Sequence, residues 1–503
     1  MKKISIIFSL LISCFLSAEN FVSLTWNEPQ ISSLYQPYIL QKNLNENELI
    51  NLSPKDDYLA ISSPKSLVQA FRNCISKTDN SSFYSKNIQS AQTSSHLNLR
   101  FYAGADYTRN LTTEKHYYYY NYAVLFTGNI KSKLFYYANW YMGKFGLDSD
   151  VAKKTSPLFD TWKQQSTNDD GFYLDNMTAK ISYHSNVGDF TIGRGKYEIG
   201  SNISGSVILN DVANDYGYFS HNLQLGKFSL SFMHATLVAD STNAEIGNNA
   251  LYYKNYEDKY LVVHKLDWNP NPKFHFFVGE HIIYGSRNID PSYLLPHTFM
   301  RVTEHNLYDR DNVLIFWGGD WQISSSNTIY SNLILDELSK SKIFTNWWGN
   351  KYAFQIGNSQ KLFFRDSKIT AEFTAVRPWM YTHKYLVNKF SNEKKPLGFT
   401  AGSNILQYTV ELNLDLANNL KLDLQSSYSR QGSVGNDFLV NYKDRPTDEA
   451  NWLEGDITDK YRNGVILTWQ VNHHHLFKIG YEIEQIRSED ANDTISISYQ
   501  AIY

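Results

Sequence analysis

The stretch LQYTVELNLDLANNLKLDLQ, residues 406–425, sets the terms on which the rest of the chain is read. Leu406, Tyr408, Val410, Leu412, Leu414 and Leu416 alternate with Gln407, Thr409, Glu411, Asn413 and Asp415, so one face is apolar and the other polar. Successive side chains of a strand point to opposite faces, and a period of two sustained this long is a strand signal. After a short turn at Ala417 to Asn419 the pattern resumes as Leu420, Leu422 and Leu424 against Lys421, Asp423 and Gln425. The stretch is therefore a hairpin with one greasy side and one wet side.

The same pattern recurs at Leu134, Tyr136, Ala138, Trp140 and Met142, at Phe228, Leu230 and Phe232, and at Phe477, Ile479, Tyr481 and Ile483. A soluble sandwich also alternates, but its apolar faces meet in one core, and a series of strands this long would normally divide into domains. No linker divides the chain from His96 onward. These 96–503 residues, at roughly 20 to 25 per strand and turn, predict a single antiparallel transmembrane β-barrel of about 16 to 18 strands. A closed sheet leaves no unpaired backbone in lipid. The final strand fits, with Ile495, Ile497, Tyr499, Ala501 and Tyr503 on one face and Thr494, Ser496, Ser498 and Gln500 on the other. That alternation, closed by an aromatic residue, resembles the terminal strand through which outer-membrane proteins engage the barrel-assembly machinery.

Composition agrees. Aromatic residues make up 15% of the 503 residues, including 37 Tyr, a density that suits the aromatic girdles of a barrel at the two membrane interfaces. Beyond residue 18 no apolar run is long enough for a spanning helix. A net charge of −3 with dispersed Lys and Arg gives no footprint for nucleic acid.

Residues 1–18 read as a signal peptide, with Lys2 and Lys3 before an apolar stretch from Ile4 to Phe15 and Leu16-Ser17-Ala18 as the cleavage site. Leu11-Ile12-Ser13-Cys14 also resembles a lipoprotein cleavage box, although a cut there would leave Phe15-Leu16 beyond it. If Cys14 leaves with the signal, Cys74 has no partner for a disulfide. Residues 19–95 are rich in Asn, Ser and Gln. One helix is expected there, with Ser63 as cap, Pro64 in the first turn, and Leu67, Val68, Phe71, Cys74 and Ile75 on one face. The segment is read as a small helical periplasmic piece covering one end of the barrel. Three polar stretches, Leu147 to Asp175, Ala239 to Asp258 and Gln431 to Tyr461, read as outer loops, with Trp162 and Trp452 as candidates for stacking on sugar.

Signatures of catalysis are missing. There is no Gly-x-Ser-x-Gly elbow, His-Glu-x-x-His motif, Walker loop or cysteine cluster, although scattered carboxylates leave a hydrolase open. His473-His474-His475 lies between two strand patterns and reads as a turn rather than a metal site. No enzyme activity, cofactor or metal is expected.

Three stretches resemble the Wzi family of outer-membrane capsule-assembly proteins. The first runs from Gly193-Arg194-Gly195-Lys196 through Gly200, Gly205-Ser206, Leu209 and Asp211 to Ala213, with Ile199 and Ser201 where the family usually carries Trp and Pro. The second includes His264-Lys265-Leu266-Asp267, Gly279-Glu280, Ile283-Tyr284-Gly285, Arg287, Tyr293, Pro296, Glu304-His305, Asp311-Asn312 and Leu335-Asp336. The third includes Glu372-Phe373-Thr374, Val376-Arg377-Pro378-Trp379, Tyr381, Pro396-Leu397-Gly398 and Gly402-Ser403-Asn404. The resemblance implies an 18-stranded lectin-like barrel in the outer membrane, with periplasmic N-terminal helices, that binds capsular polysaccharide and helps attach or organise the capsule at the cell surface. A porin or sugar-permeable channel is the alternative. Glu280, Tyr284, Arg287, Glu304, Arg377 and Trp379 are chemically suited to sugar hydroxyls and are the candidate polysaccharide-binding residues. Simple alternation sets Glu280 on the same face as Phe274, Phe276 and Val278, which lipid would otherwise meet. A bulge or a misread strand would remove the conflict.

Overall fold

The computed structural model describes residues 96–502, apart from 131–132, 148–164, 167–171, 247–252 and positions 297, 340, 344, 473 and 488. The signal peptide, the expected N-terminal helix, Cys14, Cys74, Trp162 and Tyr503 lie outside the described residues.

Eighteen strands close into one antiparallel barrel. They are β1 (His96–Asn110), β2 (His116–Ile130), β3 (Leu134–Leu147), β4 (Phe172–Ser185), β5 (Gly188–Gly195), β6 (Tyr216–Leu225), β7 (Phe228–Ile246), β8 (Tyr253–Asn271), β9 (Phe274–Gly285), β10 (Asn312–Gln322), β11 (Asn327–Glu337), β12 (Lys351–Lys361), β13 (Lys368–Val376), β14 (Ile405–Ala417), β15 (Leu420–Gly432), β16 (Ile457–Gln470), β17 (His475–Ile486) and β18 (Asn492–Ile502). Each pairs with its sequence neighbour, and β18 returns to β1 in a register that runs from Tyr102 opposite Ile502 to Asn110 opposite Thr494. The hairpin at 406–425 forms as read, as β14 and β15, with Leu412 opposite Leu424. Among the described residues no helix is long and apolar enough to cross a membrane.

Connections alternate in length around the barrel. At one end they are as short as 226–227, 272–273 and 418–419, and at the other they include 196–215, 286–311, 377–404 and 433–456. Two aromatic girdles mark the outer surface. Phe228 stacks with Trp268, and Trp469, Phe477 and Tyr499 lie opposite one another on three neighbouring strands at the short-turn end, while Tyr428 stacks with Tyr461 near the long-loop end. On β16, Tyr461 and Trp469 both face outward, 44% and 48% exposed. Eight residues separate them, about 26 Å along a strand, which is about 20 Å along the axis at the usual tilt and fits an apolar band about 25 Å tall.

The inward faces are polar, with Gln407, Thr409, Gln425, Ser427, Ser496, Ser498 and Gln500 buried and Arg462 paired to Glu482 at 2.8 Å. Two long connections fold back into this lumen. Ile199, Val207, Ile208 and Leu209 of 196–215 pack against Met380, Tyr381, Phe390, Leu397 and Phe399 of 377–404 and against wall residues including Leu261, Phe277 and Phe316. Hydrogen bonds fix the first segment: Asn332 Nδ2 donates to the Ser201 carbonyl (2.9 Å), Gln355 Nε2 to Gly205 (3.0 Å), Gln425 Nε2 to Ile203 (2.8 Å) and Tyr381 OH to Val207 (2.8 Å). Gly200, at φ 101° and with the Asn332 amide where a Cβ would stand, lets the chain turn at the tip. The lumen therefore holds a packed core of its own.

Candidate functional site

The long-loop end carries an aromatic and cationic cluster built by three connections. Residues 338–350 and 433–456 pair through an isolated bridge between Trp347 and Glu449, with Trp348 N–H donating to the Asp448 carbonyl (3.1 Å) and Ala450 N–H to Asn346 (2.7 Å). Arg377, at the start of 377–404, fastens both: its Nε donates to the Asn350 carbonyl (3.2 Å) and its Nη2 to that of Ala450 (2.8 Å). The same guanidinium lies 5.3 Å from the Trp452 ring centre and 5.9 Å from that of Tyr352. Burial pulls its pKa below the ordinary value.

Above this anchor Trp348 stacks on Tyr442 with ring centres 4.7 Å apart, and the Arg445 guanidinium sits 4.0 Å from the Trp348 ring. Lys342 covers Trp347 at 4.8 Å. Asn441 Nδ2 donates to the Lys384 carbonyl (3.1 Å), which brings exposed Tyr385 alongside. Trp347, Trp348, Tyr442 and Trp452 are half-buried. Flat rings held rigidly beside guanidinium and ammonium donors can stack on sugar rings and bind their hydroxyls or acidic groups. Beneath, buried His383 is pushed down to about 3 by desolvation and by Lys351 and Lys384.

The six residues expected to bind sugar fall into two groups. Arg377 and Trp379 belong to the long-loop end but are buried; Trp379 has φ 64° and takes its N–H to the Gly435 carbonyl at 2.8 Å, with its indole against that glycine. Glu280, Tyr284, Arg287 and Glu304 lie elsewhere, on the outer face of the wall. Phe277 and Ile283 of β9 pack with the lumen segments, so Val278, Glu280, Ile282 and Tyr284 face outward. The strand is correctly read, and the register shift lies at Phe274/Phe276, short of Glu280, so it does not turn Glu280 inward. Instead the connection 286–311 lies over this face, and Tyr293 and Met300 pack with Phe232, Tyr260, Val262, Ile282, Tyr284 and Val313. Glu280 accepts from Met300 N–H (2.6 Å) and meets His264 Nδ1 (3.1 Å). Arg287 makes a two-pronged pair with Asp311 (2.8 Å each), Tyr293 OH donates to Asp311 (2.7 Å), and Glu304 accepts from Arg301 (2.6 Å).

Of the cluster, Trp452 was legible as a loop tryptophan. Sequence reasoning misses Trp347-Trp348, although a tryptophan pair between Asn346 and Gly349-Asn350, outside any alternating run, is a usable signal.

No protein-family model and no curated protein matches the sequence. Among solved structures, the fold is similar to Wzi, an outer-membrane protein involved in group 1 capsule assembly in Escherichia coli and a carbohydrate-binding β-barrel. The TM-score is 0.53 at 10% identity, over 97% of this chain and 98% of that one. OpdK from Pseudomonas aeruginosa aligns with a TM-score of 0.48 at 7% identity, over 81% of this chain and 98% of that one. OccK3 (OpdO) from the same organism gives 0.46 at 9%, over 82% and 97%. The chain has the fold of an outer-membrane β-barrel, which supports residence in that membrane.

Proposed function

We propose that the chain binds capsular polysaccharide at its long-loop surface and helps attach or organise the capsule on the cell, without catalysing a reaction. The observation that carries this reading is the rigid cluster of Trp347, Trp348, Tyr442, Arg445 and Trp452 at the long-loop end of a barrel whose lumen is occupied by two packed segments. In single-chain barrels the short turns face the periplasm and the long loops the exterior, which puts the cluster where a capsule would be met. On the same orientation the chain before His96 enters from the periplasmic side, where residues 19–95 would lie. Similarity to a carbohydrate-binding barrel favours the reading, at an identity that carries fold alone.

The test is binding of purified, detergent-solubilised protein to the capsular polysaccharide of the producing strain, followed by tryptophan fluorescence and calorimetry. Trp348→Ala with Arg445→Ala is expected to weaken binding by roughly tenfold or more, from stacking and cation–π terms of about 1 kcal/mol each. Capsule retention should fall in a deletion strain. Undiminished binding by the double variant, or unchanged retention, sinks the proposal. Steady open steps in a planar bilayer would favour the porin reading.

A further inference from the structure

Glu280 and His264 pose a problem that the glycan reading does not touch. Both are buried, both face the outside of the barrel, and their level can be worked out from the girdle beneath them. Glu280 is four residues above Phe276, and its partner His264 is four residues above Trp268; Phe276 and Trp268 are exposed outward residues at the short-turn end. Four residues are about 13 Å of strand, or about 10 Å along the axis, well inside an apolar band about 25 Å tall. A carboxylate facing lipid at that depth would be strongly disfavoured.

The connection 286–311 explains their presence. Its lowest part reaches down to Glu280, so a segment that is not a strand occupies the level of the hydrocarbon. Backbone groups there must find partners inside the protein. Met300 N–H, at the start of the short helix Arg301–Asn306, donates to Glu280 Oε1 at 2.6 Å. The Leu295 carbonyl accepts from His264 Nε2 at 3.2 Å and from Thr298 Oγ1 at 3.3 Å. His264 Nδ1 lies 3.1 Å from Glu280 Oε1, the same oxygen that accepts from Met300 N–H, while Glu280 Oε2 is buried without a hydrogen-bond partner among the described residues. Higher up, Ser292 N–H is met by Asp290 and Ser286 N–H by the Asp258 carbonyl.

The far side of this connection carries exposed apolar side chains: Leu294, Leu295, Phe299 and Val302 are 42%, 56%, 57% and 68% exposed, with Arg301, His305 and Asp309 also exposed, and the outward residues Phe276, Trp268 and Trp321 lie below them. We propose that 286–311 is a clamp set into the outer leaflet, with Leu295, Phe299 and Val302 against lipid acyl chains and with Glu280 and His264 in the wall to satisfy its backbone. Acyl chains are the occupant because these exposed apolar side chains lie, by the strand spacing above, within the height of the lipid-facing band marked below by Phe276, Trp268 and Trp321. The proposal rests on the barrel crossing a membrane and is independent of what the long loops bind.

The full-length protein with Cys74→Ala and Phe299→Cys, labelled with an environment-sensitive fluorophore and inserted in phosphatidylcholine vesicles, gives the test. Emission should be blue-shifted, quenched by nitroxide-bearing acyl chains as strongly as a label at Ile192, an outward residue of β5 that is 69% exposed, and protected from aqueous iodide. Iodide quenching without nitroxide quenching overturns the proposal, as does protection from both with ready disulfide formation between two Phe299→Cys copies, which would make the cover a second copy. Adding Glu280→Gln, which keeps an acceptor for Met300 N–H, should leave the label in lipid, whereas Glu280→Leu should move it toward water while the barrel stays folded by gel mobility. An unchanged label in Glu280→Leu removes Glu280 from the clamp.

Discussion

Replacing Glu372 by alanine tests whether the lumen segment is held at its tip by hydrogen bonds or along its length by packing. Glu372 faces inward from β13 and accepts from Ile203 N–H (2.9 Å), Ser204 Oγ and, from the wall, Tyr330 OH (2.6 Å) and Thr374 Oγ1 (3.5 Å). Alanine removes the carboxylate that accepts from Ile203 N–H and Ser204 Oγ, at about 1 to 3 kcal/mol each, relieved when the tip opens to water. Opening of the tip should therefore become easier by about 2 to 6 kcal/mol, roughly 30-fold to 10⁴-fold in its equilibrium. The base of the segment should stay put, because Ile199, Val207, Ile208 and Leu209 are essentially buried and each such side chain contributes about 2 kcal/mol. Amide hydrogen exchange of the Glu372→Ala protein separates the two parts. Exchange should accelerate at Ile203 to Gly205 and remain slow at Val207 to Leu209, with no steady conductance in a bilayer. Unchanged exchange at the tip would refute the hydrogen-bond account, and loss of protection along the whole segment would refute the packing account.

Two further outcomes follow from the loop end. His383 is held far below its unfolded value of about 6.5, so its neutral ring supports the folded segment fully above that pH. Support should fall by about 1.4 kcal/mol per unit as pH drops from about 6.5 toward 3. Exchange of 377–404 measured against pH should show this slope and lose it in His383→Asn; a slope that survives the substitution assigns it to another group. Arg377→Lys keeps the charge but not the fork that holds the Asn350 and Ala450 carbonyls, each bond being worth about 1.5 to 3 kcal/mol. Limited proteolysis should then cut 338–350 and 433–456 faster while the barrel keeps its heat stability. Equal cutting rates would show that the guanidinium is not what fastens the loops.

The wall of this barrel was readable because its constraint is periodic. Lipid outside and a polar lumen inside impose a two-residue alternation, and strands such as β14, β15 and β18 carry it almost without exception. Strand number followed from length, since every strand must cross the same band. What the alternation could not reveal is any segment that leaves the sheet. Residues 196–215 and 377–404 carry no period, and only their tertiary partners, such as Gln355 and Gln425 reaching from the wall to the carbonyls of Gly205 and Ile203, show that they turn into the lumen.

The candidate sugar residues are placed as they are for a related reason. Arg, Glu, Tyr and Trp suit a glycan because they offer several directed hydrogen bonds or a flat face, and a barrel needs the same properties wherever its chain departs from the ladder. Arg377 spends its donors on two backbone carbonyls that no strand neighbour meets. Glu280 answers the N–H of Met300 at a depth where water cannot, and Arg287 with Asp311 braces the two feet of the same connection. The second stretch of family-like residues, from His264 to Asp336, maps largely onto that connection and the wall around it, and the first and third map largely onto the segments in the lumen. Such residues specify how irregular chain is accommodated in a closed sheet. The proposed glycan contact rests instead on directed side chains that remain partly exposed at the long-loop end, Trp347, Trp348, Tyr442 and Arg445.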